Sequence, residues 1–410
     1  MKSRWSKDLR SAFEEQNSKS RVNKIDKSEL QAAIEKLENH IISEEYRGYD
    51  PYDGLMSPIF KLPILKSNKI IRFAFQQVFR RIPFNLRPIL GIRKGLNPVT
   101  LGLFIQACTY LSKVFVDYSD FYLSQIDYCV HELAKLRSLS YSGACWGYDF
   151  DWEARYAKIP AFMPTVVATG IIENGLYEYY CHFKDDRAKE LILSAAEFVV
   201  SDLNRSYDGG TFCFSYSPND SQKVYNATMK GARILSHAYA ISSDAKYIEE
   251  ARKTVKFVID HQNENGSWYY SSGDARKWID NIHTGYVLDC LRAYCDISYD
   301  ADARACFDRG LEFYVKTFFN DDGTPKYYDN DTYPIDSTAI AQSILTLAQF
   351  GFSDLGLKAS AWAVANMQSD KGHFYYQKNR MFVNKVPYMR WSNAWMFAAL
   401  AFMLLKLQQS

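Results

Sequence analysis

The chain is 410 residues long, 47% hydrophobic and 16% aromatic, enough to bury a large core in one domain or in two to three ordinary ones. Lys and Arg number 49 against 47 Asp and Glu, so no strong field directs the chain to nucleic acid. The eight cysteines are scattered without a CxxC pair, which favours reduced, packed thiols over disulfides or a zinc site.

Residues 1–26 alternate charges and lack an apolar stretch, so they read as a loosely ordered N-terminal extension and neither as a secretory signal nor as a membrane span. The expected location is therefore cytoplasmic. SELQAAIEKLENHII (28–42) has helical periodicity and is followed by EEYRGYDPYDGL. Next comes a Pro-interrupted stretch at 57–96, with PIFKLPIL and IPFNLRPILGI, which reads as an insertion that wraps the outside of the fold or caps its mouth. NPVTLGLFIQACTYLSKVF (97–115) completes this first unit. A second unit pairs HELAKLRSLSYSGACWGYDFDW with TVVATGIIENGLYEYY.

Four more units then share one layout: a helix, a Gly-plus-aromatic patch, a polar stretch and a more apolar helix. Their aligned glycines are Gly210, Gly266, Gly323 and Gly372, spaced 56, 57 and 49 residues apart. Each first helix is amphipathic, as in Tyr247, Ala251, Val255 and Val258, which suits an outer ring facing water. Each second helix is apolar nearly all round, which suits an inner ring. A hairpin built this way cannot cover its own apolar face, so six of them close on one another. The expected fold is all-α: a single-domain (α/α)6 toroid over residues 1–410, with short β-hairpins or loops at one rim.

Antiparallel neighbours place every outer-to-inner loop at the same end of such a ring. Converging there are Asn226, Asp280, Asn281, His283, Asp336, Tyr388, Arg390 and Trp391 from the inner-helix starts. Tyr49, Asp50, Tyr52, Trp146, Tyr148, Asp149, Asp151, Trp152, Arg155 and Trp268 join them from the loops. Rings that stack on pyranose faces, set among carboxylates and amides that bond hydroxyls, are the chemistry of a sugar site. Each residue also has a plainer role open to it. Asp336, before Ser-Thr-Ala, caps a helix as readily as it donates a proton. His283 is a proton carrier or a satisfied structural imidazole. Asp50-Pro51-Tyr52-Asp53-Gly54 is also a turn sequence. Arg390 clamps a substrate carboxylate or phosphate, or pairs with a neighbouring Asp. No metal-binding pattern, Walker loop or dinucleotide fingerprint occurs, so no cofactor is expected.

QNENGSW, with Gln262, Gly266 and Trp268, resembles the Q-x-x-x-G-x-W repeat of terpene-cyclase and prenyltransferase toroids; in a second copy Gln368 and Gly372 are followed by Phe374. The cyclase acid motif DxDD is reduced to Asp336 alone. A wider resemblance rests on GYDPYDGL (48–55), NLRPILGIRKGLNP (85–98), CWGYDFDW (145–152), DNIHTGYVLD (280–289) and RWSNAW (390–395). These segments look like a toroid family encoded among capsule, exopolysaccharide and O-antigen genes. That resemblance implies a place in surface-polysaccharide biosynthesis. The ring also resembles six-hairpin glycosidases, polysaccharide lyases and the helical domain of glucuronyl C5-epimerases.

Three functions follow as expectations: glycan modification by hydrolysis or by epimerase or lyase chemistry, glycan binding without turnover, and terpenoid chemistry. Hydrolysis needs two carboxylates, with Asp149 or Asp151 opposite Asp336 as candidates. Epimerase or lyase chemistry needs His283, Tyr148 or Tyr388 as acid or base and Arg390 as carboxylate clamp. A non-catalytic binder of glycan or lipid-linked oligosaccharide uses the same aromatics; a terpenoid cyclase needs a more apolar wall. The expected partner is a glycan or lipid-linked oligosaccharide, with peripheral membrane association open to the protein in each case.

Overall fold

Six helices rich in Ala, Leu and Ile form the inside of a closed ring because their apolar surfaces leave no side free for water. The computed structural model describes residues 24–156 and 158–409, so of the expected 1–26 extension only Lys24, Ile25 and Asp26 fall within the described residues. Numbered in chain order, the outer helices are α1 (Lys27–Ser43), α5 (Ser119–Lys135), α7 (Asp186–Asp202), α9 (Ala245–Asp260), α11 (Ala301–Thr317) and α13 (Ser353–Met367). The inner ones are α4 (Pro98–Val114), α6 (Val166–Phe183), α8 (Tyr225–Ser242), α10 (Asn281–Ser298), α12 (Ser337–Phe350) and α14 (Trp395–Gln409). Each inner helix packs on the next, and α14 returns to α4, which closes the ring. Phe104 and Phe397 stack across that seam with ring centres 5.0 Å apart. Two glycines bring α4 and α6 together, since a Cβ on Gly175 would sit 2.2 Å from the Gly102 carbonyl oxygen. The fold is the expected α/α toroid.

Short turns join each inner helix to the next outer one, whereas long segments run from outer to inner helices and all lie at the other end. They carry the strands: β1 (Trp152–Glu153) pairs with β2 (Lys158–Ile159), β3 (Arg205–Asp208) with β4 (Thr211–Phe214), and β5 (Ile335–Asp336), β6 (Gln377–Lys378) and β7 (Val383–Asn384) form one antiparallel sheet. The 57–96 insertion folds as two further helices, α2 (Pro63–Ser67) and α3 (Lys69–Phe79), after two short 3-10 turns.

The glycine repeat divides in two. Gly266, Gly323 and Gly372 take left-handed φ values of 83° to 91°, open to glycine at no steric cost. Gly210 lies in the β3–β4 hairpin turn with open space around it, so it aligns in sequence without sharing that role. All eight cysteines are free and seven of them are buried. Among the described residues no helix is long and apolar enough to cross a membrane.

Candidate functional site

The long loops and the first turns of the inner helices enclose a cavity of about 420 Å³. Its wall is chiefly aromatic: Tyr52, Tyr148, Trp152, Tyr216, Tyr270, Trp278, Tyr286, Tyr327 and Trp391 all face it. Tyr52 bridges the wall, tilted 5.8 Å from Trp152 and edge-on 5.6 Å from Trp391.

Asp280 ends the loop before α10 and caps the helix through Oδ1, which accepts the backbone N–H of His283 at 2.8 Å. Its Oδ2 lies 2.6 Å from His283 Nδ1 and accepts the indole N–H of Trp278 at 3.0 Å. A carboxylate facing Nδ1 selects the tautomer with the proton on that nitrogen, which leaves Nε2 as the free basic atom. Tyr270 meets the imidazole edge-on at 4.6 Å, and the ring remains 29% exposed on the cavity wall.

Arg390 is 5% exposed and pairs through two hydrogen bonds with Asp50, Nε to Oδ2 at 2.6 Å and Nη2 to Oδ1 at 2.9 Å. Its guanidinium lies 4.7 Å from the centre of the Tyr148 ring and 5.0 Å from that of Trp391. Its charge is thus committed to Asp50, and aromatic rings pack beside the guanidinium. Asp50 is the neighbouring carboxylate left open as Arg390's partner, and it is occupied there in place of substrate.

Asp336 is fully buried and is not part of the cavity wall. Its oxygens accept the backbone N–H of Thr338 at 2.8 Å, the Gln377 amide at 2.7 Å and the Trp391 indole N–H at 3.0 Å. Burial pushes its carboxyl up to about 6, against the pull of those donors. It caps α12 and holds the Trp391 ring against the cavity. Asp149 is half-buried, accepts the Asn97 amide at 2.6 Å, and is pushed up to about 6 by desolvation. Asp151 accepts the Ala161 N–H at 2.9 Å and lines a separate groove of about 290 Å³ with Met56 and Arg72. The pairing of Asp149 or Asp151 with Asp336 for hydrolysis is therefore not assembled, because none of the three carboxylates lines the cavity.

Other expected site residues divide the same way. Tyr52, Tyr148, Trp152, Arg155, Asn226 and Trp391 line the cavity with Asp280, His283 and Arg390. Asn226 is 2% exposed and its Oδ1 has no hydrogen-bond partner among the described residues. Trp146 and Trp268 belong to the core instead: their indole N–H groups donate to the carbonyls of Leu133 and Val258. Asn281 is buried, and its Oδ1 accepts from Tyr314 and Ser343. Tyr388 is buried against Arg87 and edge-on to Tyr376, and Tyr49 packs beside it; neither reaches the cavity.

Sequence reasoning missed the cationic part of the wall. Arg80 and Arg81 come from the C-terminal end of α3 within the insertion and Arg276 from the loop before α10. Arg276 pairs with Asp274, while Arg80 donates to the Tyr52 hydroxyl at 2.7 Å and has no carboxylate within ion-pair distance among the described residues. The side chain of Arg155 makes no hydrogen bond or ion pair among the described residues. The carboxylates on the wall are Glu153, neutralised by Arg72, and Asp280. The run QQVFRR was the available signal for Arg80 and Arg81.

A second cavity of about 480 Å³ opens at the opposite end of the ring, and Ile171 and Trp395 line both, so they form the floor between them. Lys230 lines this second space; it is 2% exposed, and its Nζ lies 4.0 Å from the centre of the Tyr286 ring. Buried Glu173 lies 2.8 Å from Nδ1 of His237 there. Among the described residues no group of three or more His, Cys, Asp and Glu gathers as a metal site.

No known family and no curated protein sequence matches the chain. Solved structures do. The Lin0763 protein from Listeria innocua superposes with a TM-score of 0.60 at 12% identity, over 93% of this chain and 98% of that one. The unsaturated glucuronyl hydrolase of Streptococcus agalactiae gives 0.59 at 11% identity over 96% and 94%. Cellobiose 2-epimerase from Bacillus thermoamylovorans gives 0.58 at 10% identity over 76% and 88%. At such identities the likeness is one of fold: this chain has the α/α toroid architecture that these proteins share.

Proposed function

We propose that this protein binds an acidic glycan in the aromatic cavity and modifies it by proton transfer, with epimerase or lyase chemistry at a uronate, as a step in surface-polysaccharide biosynthesis. The observation that carries this reading is the Asp280–His283 pair on the cavity wall, with Nε2 left as the basic atom. Abstraction of a proton beside a carboxylate needs one such base and cations near the developing charge. Arg80, Arg81 and Arg155 supply those cations, with no carboxylate partner of their own among the described residues, and the aromatic wall supplies stacking faces. The sugar-processing toroids that share the fold add support as analogy only.

The test is incubation with uronate-containing oligosaccharides in deuterated water, read by NMR and mass spectrometry. Deuterium entering at C5, or a new double bond, is expected for the wild type, with a loss of about 10²-fold or more in His283→Ala. Chain shortening with retention of activity in His283→Ala would overturn the assignment in favour of hydrolysis. A second reading, a binder of glycan or lipid-linked oligosaccharide without turnover, is favoured by the commitment of Arg390 to Asp50 in place of a substrate carboxylate. Saturable binding with no exchange, elimination or cleavage would establish it.

A further inference from the structure

From Ser57 to Leu96 the chain carries nine Lys and Arg and no Asp or Glu, whereas the rest of the sequence has 40 Lys and Arg against 47 Asp and Glu. Three of the nine are neutralised from the body of the ring: Arg72 by Glu153, Arg87 by Asp53 and Lys94 by Glu44. The other six, Lys61, Lys66, Lys69, Arg80, Arg81 and Arg93, have no carboxylate within ion-pair distance among the described residues. Five of these six are exposed and Arg80 faces the cavity, so most of the segment's net positive charge is left on the surface.

The same segment exposes large apolar side chains in series. Leu62, Ile64, Ile70, Val78, Phe84 and Ile89 are 58% to 82% exposed. In α3 the exposed positions Ile70, Ala74 and Val78 recur every fourth residue, which is one stripe along a helix. Gln76 anchors the opposite side, donating to the Tyr52 carbonyl at 2.7 Å and accepting the Glu153 N–H at 3.0 Å. Between these sides, Phe73, Gln77 and Arg80 line the glycan cavity. The apolar stripe thus stands on the lip of the cavity.

Scattered exposed apolar residues are ordinary, but a series on one segment is not. Apolar side chains interspersed with unpaired Lys and Arg match the boundary of an anionic bilayer: acyl chains take the former and headgroup phosphates the latter. A protein partner would ask for an interface centre depleted of Lys, which this surface is not. We propose that the 57–96 segment is a membrane-docking face that seats the rim of the ring on an anionic lipid surface. The face stands on its own observations, independent of the chemistry in the cavity. Combined with the glycan reading, it puts the cavity mouth where the sugar of a lipid-anchored substrate would be.

The test is sedimentation of the full chain with vesicles of phosphatidylcholine alone and of phosphatidylcholine mixed with phosphatidylglycerol. Binding is expected to the mixed vesicles and to weaken as salt is raised. The pair Ile70→Ser and Val78→Ser, and separately Lys66→Gln and Lys69→Gln, should each lower affinity about tenfold or more. All four side chains are exposed, so these variants should keep the wild-type circular dichroism spectrum. No binding to either vesicle, or equal binding by the variants, overturns the proposal. So does a dimer in light scattering that depends on Ile70 and Val78, since the face would then be covered by a second copy. No glycan enters the assay, so its failure is separable from failure of the cavity chemistry.

Discussion

Asp280 gives one carboxylate two tasks, capping α10 and fixing the His283 ring, and a single substitution separates them. Asn caps a helix about as well as Asp, so the cost of Asp280→Asn should be confined to the Trp278 indole N–H, which loses its acceptor at Oδ2, at about 1 kcal/mol. Its amide N–H would instead face Nδ1, favouring the tautomer with the proton on Nε2 and removing the base from the substrate side. The expected result is a kcat lower by about 10²-fold with KM little changed, together with an inverted imidazole tautomer by nitrogen NMR. An unchanged kcat would remove His283 from the mechanism. The sequence indicates which residue types gather at this rim but not which of them turn inward. Consecutive residues in a helical turn point about 100° apart, so His283 reaches the cavity while Asn281, two positions earlier, bonds to Tyr314 on α11. Trp146 and Trp152 show the same limit in a loop, where no period exists to sort a core indole from a wall indole.

At the scale of elements, the Q-x-x-x-G-x-W resemblance proves to describe a clamp between outer helices. Gln262 Nε2 donates both to the Gly266 carbonyl and to the Cys306 carbonyl of α11, and Gln368 Nε2 does the same to Gly372 and to Ala33 of α1. The second clamp ties the end of the ring to its beginning. Gly372 has φ +91°, and a Cβ there would lie 2.1 Å from the Lys36 carbonyl oxygen. Gly372→Ala should therefore destabilise the protein by about 2 kcal/mol or more. Gly210→Ala, in an open hairpin turn without a left-handed φ, should stay within about 0.5 kcal/mol of wild type. Denaturant unfolding of both variants decides whether the repeat glycines are one class or two. The ring itself was legible because each hairpin has one wet and one dry helix, a contrast that repeats six times. The insertion was not, since its fold follows from contacts such as Gln76 with Tyr52 that have no local signature.

At the scale of the whole molecule, a ring of six inner helices leaves its axis hollow at both ends, and polar residues on those helices are held in a floor that water hardly reaches. Lys230 belongs to that floor: among the described residues its ammonium has the Tyr286 ring face as partner and no carboxylate within ion-pair distance. Burial, followed by the nearby Arg233, lowers its pKa from 10.5 to about 8. Between those values the unfolded chain holds the proton more tightly, so stability rises as pH climbs from about 8 to about 10.5. Below pH 8 the penalty stands in full, at most about 3 kcal/mol. Lys230→Met keeps most of the volume and removes the charge. It should be more stable than wild type near pH 7, with a margin that closes toward pH 10.5; groups that titrate alike in both proteins cancel in the difference. Urea unfolding of the pair at the two pH values measures it. Equal stabilities near pH 7 would mean that the Tyr286 ring face replaces the whole of the hydration that the ammonium gives up.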